Sequence, residues 1–552
     1  MMKSKTIKKL YTLHSWVGIV TGILLFVIAF TGAVSVFSKP ELRLWGNPEV
    51  RSLPDLNYQK VEDLVAEYAK KVPDHYREEV MIFPPSVNSY TNLTIIFESH
   101  HGDPNVELKE GQRPTPIGAM YQFDPHTYEL VFEKQGTMDE IFNTGASGFA
   151  YFLVSFHADL HLGRPIGLLT TGVLGLTMML SIVTGIFIHR KILGQLFTFR
   201  PQKTFSLMLT DSHKVIGVWG LLFNSVIAFT GAFLGLAIVV LVPAAAFVSF
   251  GGDQEKLIET FTAVPEPVIQ HVEQPTQIAK ILEHANLIDP DAMEIGTLTV
   301  LGYNDASAIA FTNVIGGESV ATQLAVYQGS TGELKEINGN FGRLEGASGP
   351  VLDLLFPLHF GNFGGILVKV IWGVLGIGTA LLPLTGMMLW IERGLNSNSP
   401  KYSERTYQRF SKLVLGSCGG IVIAVFALFP AQMIIKQGFG IENVTPILGY
   451  IFYPLWLVIT VAAMIWPSEK SARSAIFYLC AAVMLSIMPI NIFYTGSHVF
   501  NVINNGHYVS VGIDLVMTAL GIYLLHLTNK MQTTSDDQTQ NSQLNPQLQG
   551  GA

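Results

Sequence analysis

The chain has 552 residues, of which 49% are hydrophobic and only 14% are Asp, Glu, Lys or Arg. Soluble domains carry about 25% charged residues, so this composition predicts a protein with several membrane spans. The formal net charge is -8, but acidic residues crowd into two long polar segments while Lys and Arg crowd into short loops. That distribution excludes a nucleic-acid footprint. The chain has only two cysteines and no C-x-x-C, so neither an iron–sulfur cluster nor covalently attached haem is indicated.

Apolar runs of about 20 residues, the length that crosses a bilayer, occur repeatedly along the chain. They predict about eight spans, at 15–37, 165–189, 214–243, 366–391, 413–435, 446–466, 475–495 and 508–528. Basic residues cluster before the first span and in the loops 190–203 and 393–412. By the positive-inside rule, these loops and both termini are expected in the cytoplasm. The tail after Lys530 is rich in Gln, Asn, Ser and Thr, a composition that predicts disorder.

The two long polar segments, 38–150 and 244–350, fall on the opposite side of the membrane in this topology. Each begins with helical periodicity, continues with strand-like alternation, as in Leu93–Phe97, and ends in a turn-centred hairpin. They are therefore predicted to be two similar α+β domains in the periplasm.

The membrane part is also repeated. His14 precedes a Phe-Thr-Gly-Ala run at 30–33, and His213 precedes the same run at 229–232 with identical spacing. Residues 12–190 and 211–393 are therefore read as tandem copies of helix, outer domain and helix. The last four spans lack this pattern.

The predicted fold is a polytopic α-helical membrane protein of about eight spans, with a four-helix core built from a tandem repeat and two periplasmic α+β domains. Its predicted parts are a first span at 12–37, a first outer domain at 38–150, a second span at 151–190, a third span at 211–243, a second outer domain at 244–350, a fourth span at 351–393, an additional four-span module at 413–528 and a cytoplasmic tail at 531–552.

Histidines at the span ends are the candidate functional residues. His14, His189 and His213 lie at predicted cytoplasmic ends, and His157, His161 and His359 lie at predicted outer ends. His157 and His161 are four residues apart, so on one helix they would share a face. Ionisable side chains at such positions are usually functional, and neutral imidazole is a good iron ligand.

Two axial pairs follow from the repeat. In a bundle built from two copies, equivalent helices lie diagonally and their side chains meet across the core. His14 with His213 and His161 with His359 are therefore predicted to ligate two b-type haems, one near each membrane face. His157 and His189 are left as alternative ligands, propionate contacts or groups that support the ligands. Arg164 is predicted to contact either a haem propionate or a lipid headgroup.

Several alternatives remain open at this stage. The many glycines of the spans would admit a flat macrocycle, but they would equally serve close helix packing. A zinc site lacks accompanying Cys or carboxylate clusters, and a histidine proton relay is a further alternative. A non-enzymatic transporter or sensor for a siderophore or peptide is the main competing function, and a regulator of a protease or other partner is a third. No Rossmann or Walker motif occurs, so no NAD(P)H, FAD or ATP site is evident.

Over residues 10–395 the chain resembles the PepSY-associated transmembrane proteins, which include bacterial inner-membrane ferric-siderophore reductases and iron-uptake proteins. The resemblance is carried by Leu13-His14-x-Trp16-x-Gly18, His157-x-x-Leu160-His161, Ser212-His213-Lys214-x-x-Gly217-x-Trp219, Leu358-His359-Phe-Gly361 and the two Thr-Gly endings. It implies a haem-b core in the inner membrane that passes electrons outward to a ferric siderophore or other ferric chelate, with PepSY-type outer domains. Because no nucleotide site is evident, the electron donor is expected to be quinol or a separate cytosolic reductase.

Overall fold

The computed structural model describes residues 4–46, 54–86, 90–104, 106, 114–145, 148–189, 200, 204–261, 264–288, 296–314, 323–344, 346–440, 444–496, 498 and 508–544. Within these ranges, eight helices are long and apolar enough to cross a membrane. The prediction of a multi-pass membrane protein with about eight spans is thereby confirmed.

Helices in the described ranges are, in chain order, α1 Ser4–Ser35, α2 Tyr58–Ala69, α3 Met138–Gly145, α4 Phe149–Asp159, α5 Ile166–Ile188, α6 Phe205–Trp219, α7 Leu221–Leu236, α8 Val242–Phe250, α9 Gln254–Phe261, α10 Ile278–Ile288, α11 Ser348–Phe360, α12 Gly365–Leu395, α13 Glu404–Phe439, α14 Val444–Ile465, α15 Glu469–Thr495 and α16 Tyr508–Leu544. The third span begins as α6, bends at Gly220 and continues through α7. The helical run reaches Phe250, so the span extends past the predicted end at residue 243.

Four spans form a ring. Helix α1 packs against α12 and α5, while α7 packs against α5 and α6 packs against α12. Small residues let these helices approach: a Cβ at Gly376 would lie 2.8 Å from Cβ of Ala33, and one at Gly175 would lie 2.7 Å from the backbone N of Ala232. Such contacts are typical of membrane helix interfaces. They place α1 diagonally opposite α6 and α7, as the repeat predicts.

The two polar segments form one sheet. Its strands are β1 Glu79–Phe83, β2 Leu93–Ser99, β3 Ile117–Phe123, β4 Leu130–Thr137, β5 Leu298–Leu301, β6 Ile309–Val314, β7 Gln323–Gln328 and β8 Glu333–Gly339. The order is β4-β3-β2-β1-β5-β6-β7-β8, and every neighbouring pair is antiparallel.

The seam between the two halves of this sheet is the pairing of β1 with β5, in which Val80 lies opposite Val300. Helices α2 and α10 contribute Val61, Val65, Ile278 and Ile281 to one hydrophobic core shared by both halves. The expectation of two separate outer domains is therefore corrected to a single domain with two similar halves.

A buried ion pair joins α12 to the end of α1 in only one half of the repeat. Lys369 Nζ lies 3.0 Å from a carboxylate oxygen of Glu41, and both residues are buried. At the repeat-equivalent positions the chain has Leu168 and Val240. Buried ion pairs are costly to form. Because the equivalent residues in the other half are apolar, this pair distinguishes the two halves.

The four spans outside the repeat form a module that packs on α1, α4 and α12. Its contact with the core includes a buried polar link, in which the indole N–H of Trp45 donates to Asp514 Oδ1 at 2.8 Å. Asn491 donates to the other oxygen of Asp514 at 2.9 Å. Helix α16 continues to Leu544, so the stretch after Lys530 is helical where its composition predicted disorder; residues 545–552 lie outside the described part.

A carboxylate–imidazole cluster lies where β1 begins and β2 ends, next to the seam. Glu79 and Glu98 are paired across the two strands, and His100 Nε2 lies 2.7 Å from Glu79 Oε2. The hydrogen bond to Glu79 raises the pKa of His100 to about 9. Burial, with Glu79 as a second cause, raises the pKa of Glu98 to about 7.

The pKa of His100 leads to a testable pH dependence. Diethyl pyrocarbonate modifies neutral imidazole, so modification of His100 in the intact protein is expected to rise with a midpoint near pH 9. Because the folded-state pKa is raised from 6.5, stability contributed by this group is present below pH 6.5 and lost as the pH rises through about 9. Peptide mass spectrometry across this pH range measures the midpoint. Glu79→Gln should lower it by about one unit or more, whereas Glu133→Gln on β4 should not, and an unchanged midpoint in Glu79→Gln would contradict the assignment.

Candidate functional site

Four histidines meet in two pairs inside the ring of helices. The ring centres of His14 and His213 are 6.2 Å apart, and those of His157 and His359 are also 6.2 Å apart. His14 lies near the N-terminal end of α1. The His157–His359 pair lies near the other end of the bundle, where the chain enters the sheet domain. The two pairs thus occupy the two ends of the core.

The imidazole ring of each of these histidines packs against the glycine of a Thr-Gly pair. The Nδ1 atom of His14 lies 3.0 Å from Thr184 Oγ1 and 3.1 Å from the carbonyl oxygen of Ser181. Because the Thr184 hydroxyl donates its own hydrogen to a helix carbonyl, its oxygen accepts from Nδ1–H of the imidazole. This fixes the tautomer, with the lone pair on Nε2. A Cβ at Gly185 would lie 3.6 Å from the ring.

The other three histidines repeat this arrangement on the other three Thr-Gly pairs. Their Nδ1 contacts are His213 with Leu382 O and Thr385 Oγ1, both at 3.1 Å, His359 with Thr230 Oγ1 at 2.9 Å, and His157 with Ile28 O at 3.0 Å and Thr31 Oγ1 at 3.5 Å. The glycines beside the rings are Gly386, Gly231 and Gly32. The repeat therefore supplies four equivalent Thr-Gly pairs, and each of them contacts one imidazole ring.

The predicted pairing of His161 with His359 is wrong, because His157 occupies that place. Helix α4 ends at Asp159, and Leu160 and His161 both adopt left-handed backbone angles, with φ of 56° and 53°. The two histidines of the motif therefore do not share one helix face. Both ring nitrogens of His161 are engaged: Nε2 with the Phe152 carbonyl at 3.1 Å and Nδ1 with the Tyr453 hydroxyl at 2.7 Å.

The added module holds α4 at both ends. At the N-terminal end of α4, the side chains of Thr445 and Gln432 accept from the backbone N–H groups of Gly148 and Phe149, at 2.9 and 3.1 Å. Beyond its C-terminal end, Tyr453 binds His161. These contacts fix the helix that carries His157, so the module has a structural role at the site that the sequence did not suggest.

There is space beside the four rings. Each imidazole keeps intermediate solvent accessibility although it lies inside the helix ring. A Cβ added at Gly18, one turn after His14, would meet nothing within 4 Å, and at the equivalent Gly217 it would meet only Leu382, at 3.5 Å. Among the residues that the structure describes, none donates to or accepts from Nε2 of these four histidines.

The distance between the paired imidazoles can be compared with the distance between two ligands of one metal ion. Each pair offers two nitrogens, and across the described residues no group of three or more His, Cys, Asp or Glu is arranged to hold a metal. Zinc takes four ligands. A metal–imidazole bond is about 2 Å long and the nitrogen lies about 1 Å from the ring centre, so two imidazoles on opposite sides of one metal place their ring centres about 6 Å apart. The observed 6.2 Å fits this requirement in both pairs.

The two remaining candidates lie outside the pairs. His189 follows the last residue of α5 and lies within electrostatic range of Lys214. Arg164 is exposed in the turn between α4 and α5. Neither role predicted for these two residues is tested by the structure.

The threonines that hold the Nδ1 atoms were not predicted as site residues. The sequence did contain part of their signal, because Thr31 and Thr230 follow His14 and His213 at the same distance and the other two Thr-Gly pairs end the second and fourth spans. From the sequence, these pairs serve only as markers of the repeat and of span endings, because the sequence does not reveal which helix faces which.

These features define a class: a polytopic helical membrane protein whose duplicated four-helix core holds two facing pairs of histidines beneath a shared sheet. Residues 11–393 match the family model of the PepSY-associated TM region. The chain therefore belongs to the PepSY-associated transmembrane family, and the match ends before α13.

The chain is also similar to the uncharacterized protein PA4219 of Pseudomonas aeruginosa. The two are 22% identical over 394 residues, which cover 68% of this chain and 92% of that protein.

Proposed function

We propose that this protein is an electron conduit of the bacterial inner membrane that holds two b-type haems and reduces a ferric siderophore or other ferric chelate in the periplasm. The observation that carries the proposal is the pair of 6.2 Å imidazole separations at opposite ends of one helical core. His14 and His213 would hold one haem, and His157 and His359 the other.

The hydrogen bonds at Nδ1 support this assignment. A ligating histidine usually donates its other ring N–H to a carbonyl or similar acceptor, which fixes the tautomer and makes the ligand more basic. All four Nδ1 atoms have such an acceptor, and the Nε2 atoms remain available. Haem supplies one-electron redox chemistry when bound, and the chain supplies axial ligands, burial and spacing.

The direction of transfer follows from the topology. With the N-terminal lysines in the cytoplasm, the His14–His213 pair lies near the cytoplasmic face and the His157–His359 pair near the periplasmic face, below the sheet domain. Electrons enter at the first pair and leave at the second. Reduction to Fe²⁺ weakens binding by hard oxygen donors, which releases iron from its chelate. Because the halves of the sheet are joined edge to edge, a chelate docks on this single domain rather than in a cleft between two domains. The donor is quinol or a cytosolic reductase.

The test is an absorption spectrum of the full-length protein, purified in detergent from haem-replete cells, before and after dithionite. About two haems per chain with the sharp reduced α-band of six-coordinate haem are expected. Reoxidation of the reduced protein by a ferric chelate, with a ferrous-iron indicator as readout, then tests the reaction. A haem-free preparation would overturn the proposal.

A second function, transport coupled to protons or cations, is favoured by one observation. Glu41, Lys369 and Asp514 are buried within or beside spans, and such residues commonly mark ion pathways. A colourless protein whose proteoliposomes acidify on substrate addition would establish this alternative in place of the conduit.

A further inference from the structure

Arg393 occupies a special position at the end of α12. Its Nη1 donates to the Tyr11 hydroxyl at 2.6 Å, and its Nη2 lies 3.5 Å from Thr210 Oγ1. Tyr11 and Thr210 each precede a histidine of the first pair by three residues. The guanidinium thus bridges the two helices that carry His14 and His213, at repeat-equivalent positions.

The charge of Arg393 is not matched by a carboxylate. The nearby buried Asp211 already binds Arg200 at 2.9 Å and Lys214 at 3.0 Å. Within the ranges that the structure describes, Arg393 makes no ion pair, and its two acceptors are neutral hydroxyls. A guanidinium has five N–H donors, and the contacts in the described part of the chain use two of them, which leaves three for an anion there.

Arg393 also lies close to the His14–His213 pair. Arg393 lies within electrostatic range of His213, and Gly386, which seats the His213 ring, lies two turns earlier on the same helix. An arginine that contacts only lipid headgroups does not require hydrogen bonds to the two helices that carry His14 and His213. The planar fork of arginine suits a carboxylate.

We propose that Arg393 is a binding residue for a carboxylate, namely a propionate of the haem held between His14 and His213. The inference rests on the proposed function. Arg393 would then link α1, α6 and α12 through its contacts with Tyr11 and Thr210 while its guanidinium held the propionate.

Full-length protein carrying Arg393→Gln tests the inference, with Arg393→Lys as the charge-retaining variant. Arg409→Gln is the matched control, because Arg409 is an exposed arginine early in α13 that, among the described residues, makes no hydrogen bond to the helices carrying His14 and His213. Two readouts are used: spectroelectrochemical titration of both haems, and the rate of haem transfer to excess apomyoglobin.

Arg393→Gln is expected to lower the midpoint potential of one haem only and to speed its loss to apomyoglobin about tenfold, the size of one lost charge-assisted hydrogen bond. Arg393→Lys should keep the potential near that of the wild type with an intermediate transfer rate. Arg409→Gln should change neither.

The outcomes separate the two proposals. Haem-free wild-type protein would overturn the conduit and this inference together. Two haems in the wild type with no selective effect of Arg393→Gln would overturn this inference alone. Loss of co-purified anionic phospholipid without any change in the haems would make Arg393 a lipid anchor. If Arg393→Gln fails to fold, unchanged transfer kinetics in Arg393→Lys overturn the inference.

Discussion

Replacing His157 with alanine is expected to lower the haem content of the purified protein from about two to about one per chain, while His161→Ala leaves it near two. The ring of His157 faces His359 at 6.2 Å, whereas both nitrogens of His161 are occupied by Phe152 and Tyr453. In neutral His161, Nε2 donates its hydrogen to the Phe152 carbonyl and the lone pair of Nδ1 accepts from the Tyr453 hydroxyl, so neither nitrogen is left for iron. The pyridine haemochrome assay on protein of known concentration measures the difference.

His161→Ala is also the control for the first variant, because the two histidines lie close together in the chain and both are contacted by neighbouring elements. His359→Ala should reproduce the effect of His157→Ala, and His14→Ala and His213→Ala should each remove the other haem. Loss of haem in His161→Ala together with retention in His157→Ala would restore the pairing predicted from the sequence.

Substituting alanine for Gly32 should disrupt the same haem, whereas the equivalent change at Gly185 should be tolerated. A Cβ at Gly32 would lie 2.6 Å from Cε1 of His157, a distance that forces the imidazole to move. At Gly185 the Cβ would lie 3.6 Å from the His14 ring, an ordinary contact. Precise ligand geometry is needed for a six-coordinate site, and a small displacement weakens it. We expect Gly32→Ala to lose most of the second haem or to leave it five-coordinate.

Electron paramagnetic resonance of the oxidised protein distinguishes these outcomes, because a five-coordinate ferric haem gives a high-spin signal that a bis-histidine haem lacks. Gly185→Ala serves as the matched control, since it alters the same Thr-Gly motif beside the other histidine pair. Equal high-spin signals from both variants would show that the Thr-Gly pairs do not position the imidazole rings as described.

Much of the core was determined by the sequence. The identical spacing of His14 and His213 from their Phe-Thr-Gly-Ala runs implies two superimposable copies, and two copies in one bundle must place equivalent helices on opposite sides. The meeting of His14 and His213 follows from that symmetry. Their role as haem ligands remains a prediction.

The choice between His157 and His161 depended on tertiary structure. Apolar periodicity runs through both residues, so the sequence offered no reason to end α4 at Asp159. The helix ends there because Leu160 and His161 take left-handed angles, which are unfavourable for residues with a Cβ. The His161 ring is held by the distant Tyr453 and by the carbonyl of Phe152 in α4. No local pattern encodes a contact across 292 residues of chain.

The same limit applied to the sheet. Alternation along Leu93–Phe97 was enough to predict a strand, because the period of two is local. The pairing that joins the two halves is not local: Val80 of β1 pairs with Val300 of β5 through a long-range contact, and one core extends over both halves. The sequence thus determined the elements, the duplication and the layers of histidine. Only the tertiary structure decided that His157 rather than His161 faces His359, and that the two outer segments share one sheet. Both outcomes depend on contacts between segments far apart in the chain.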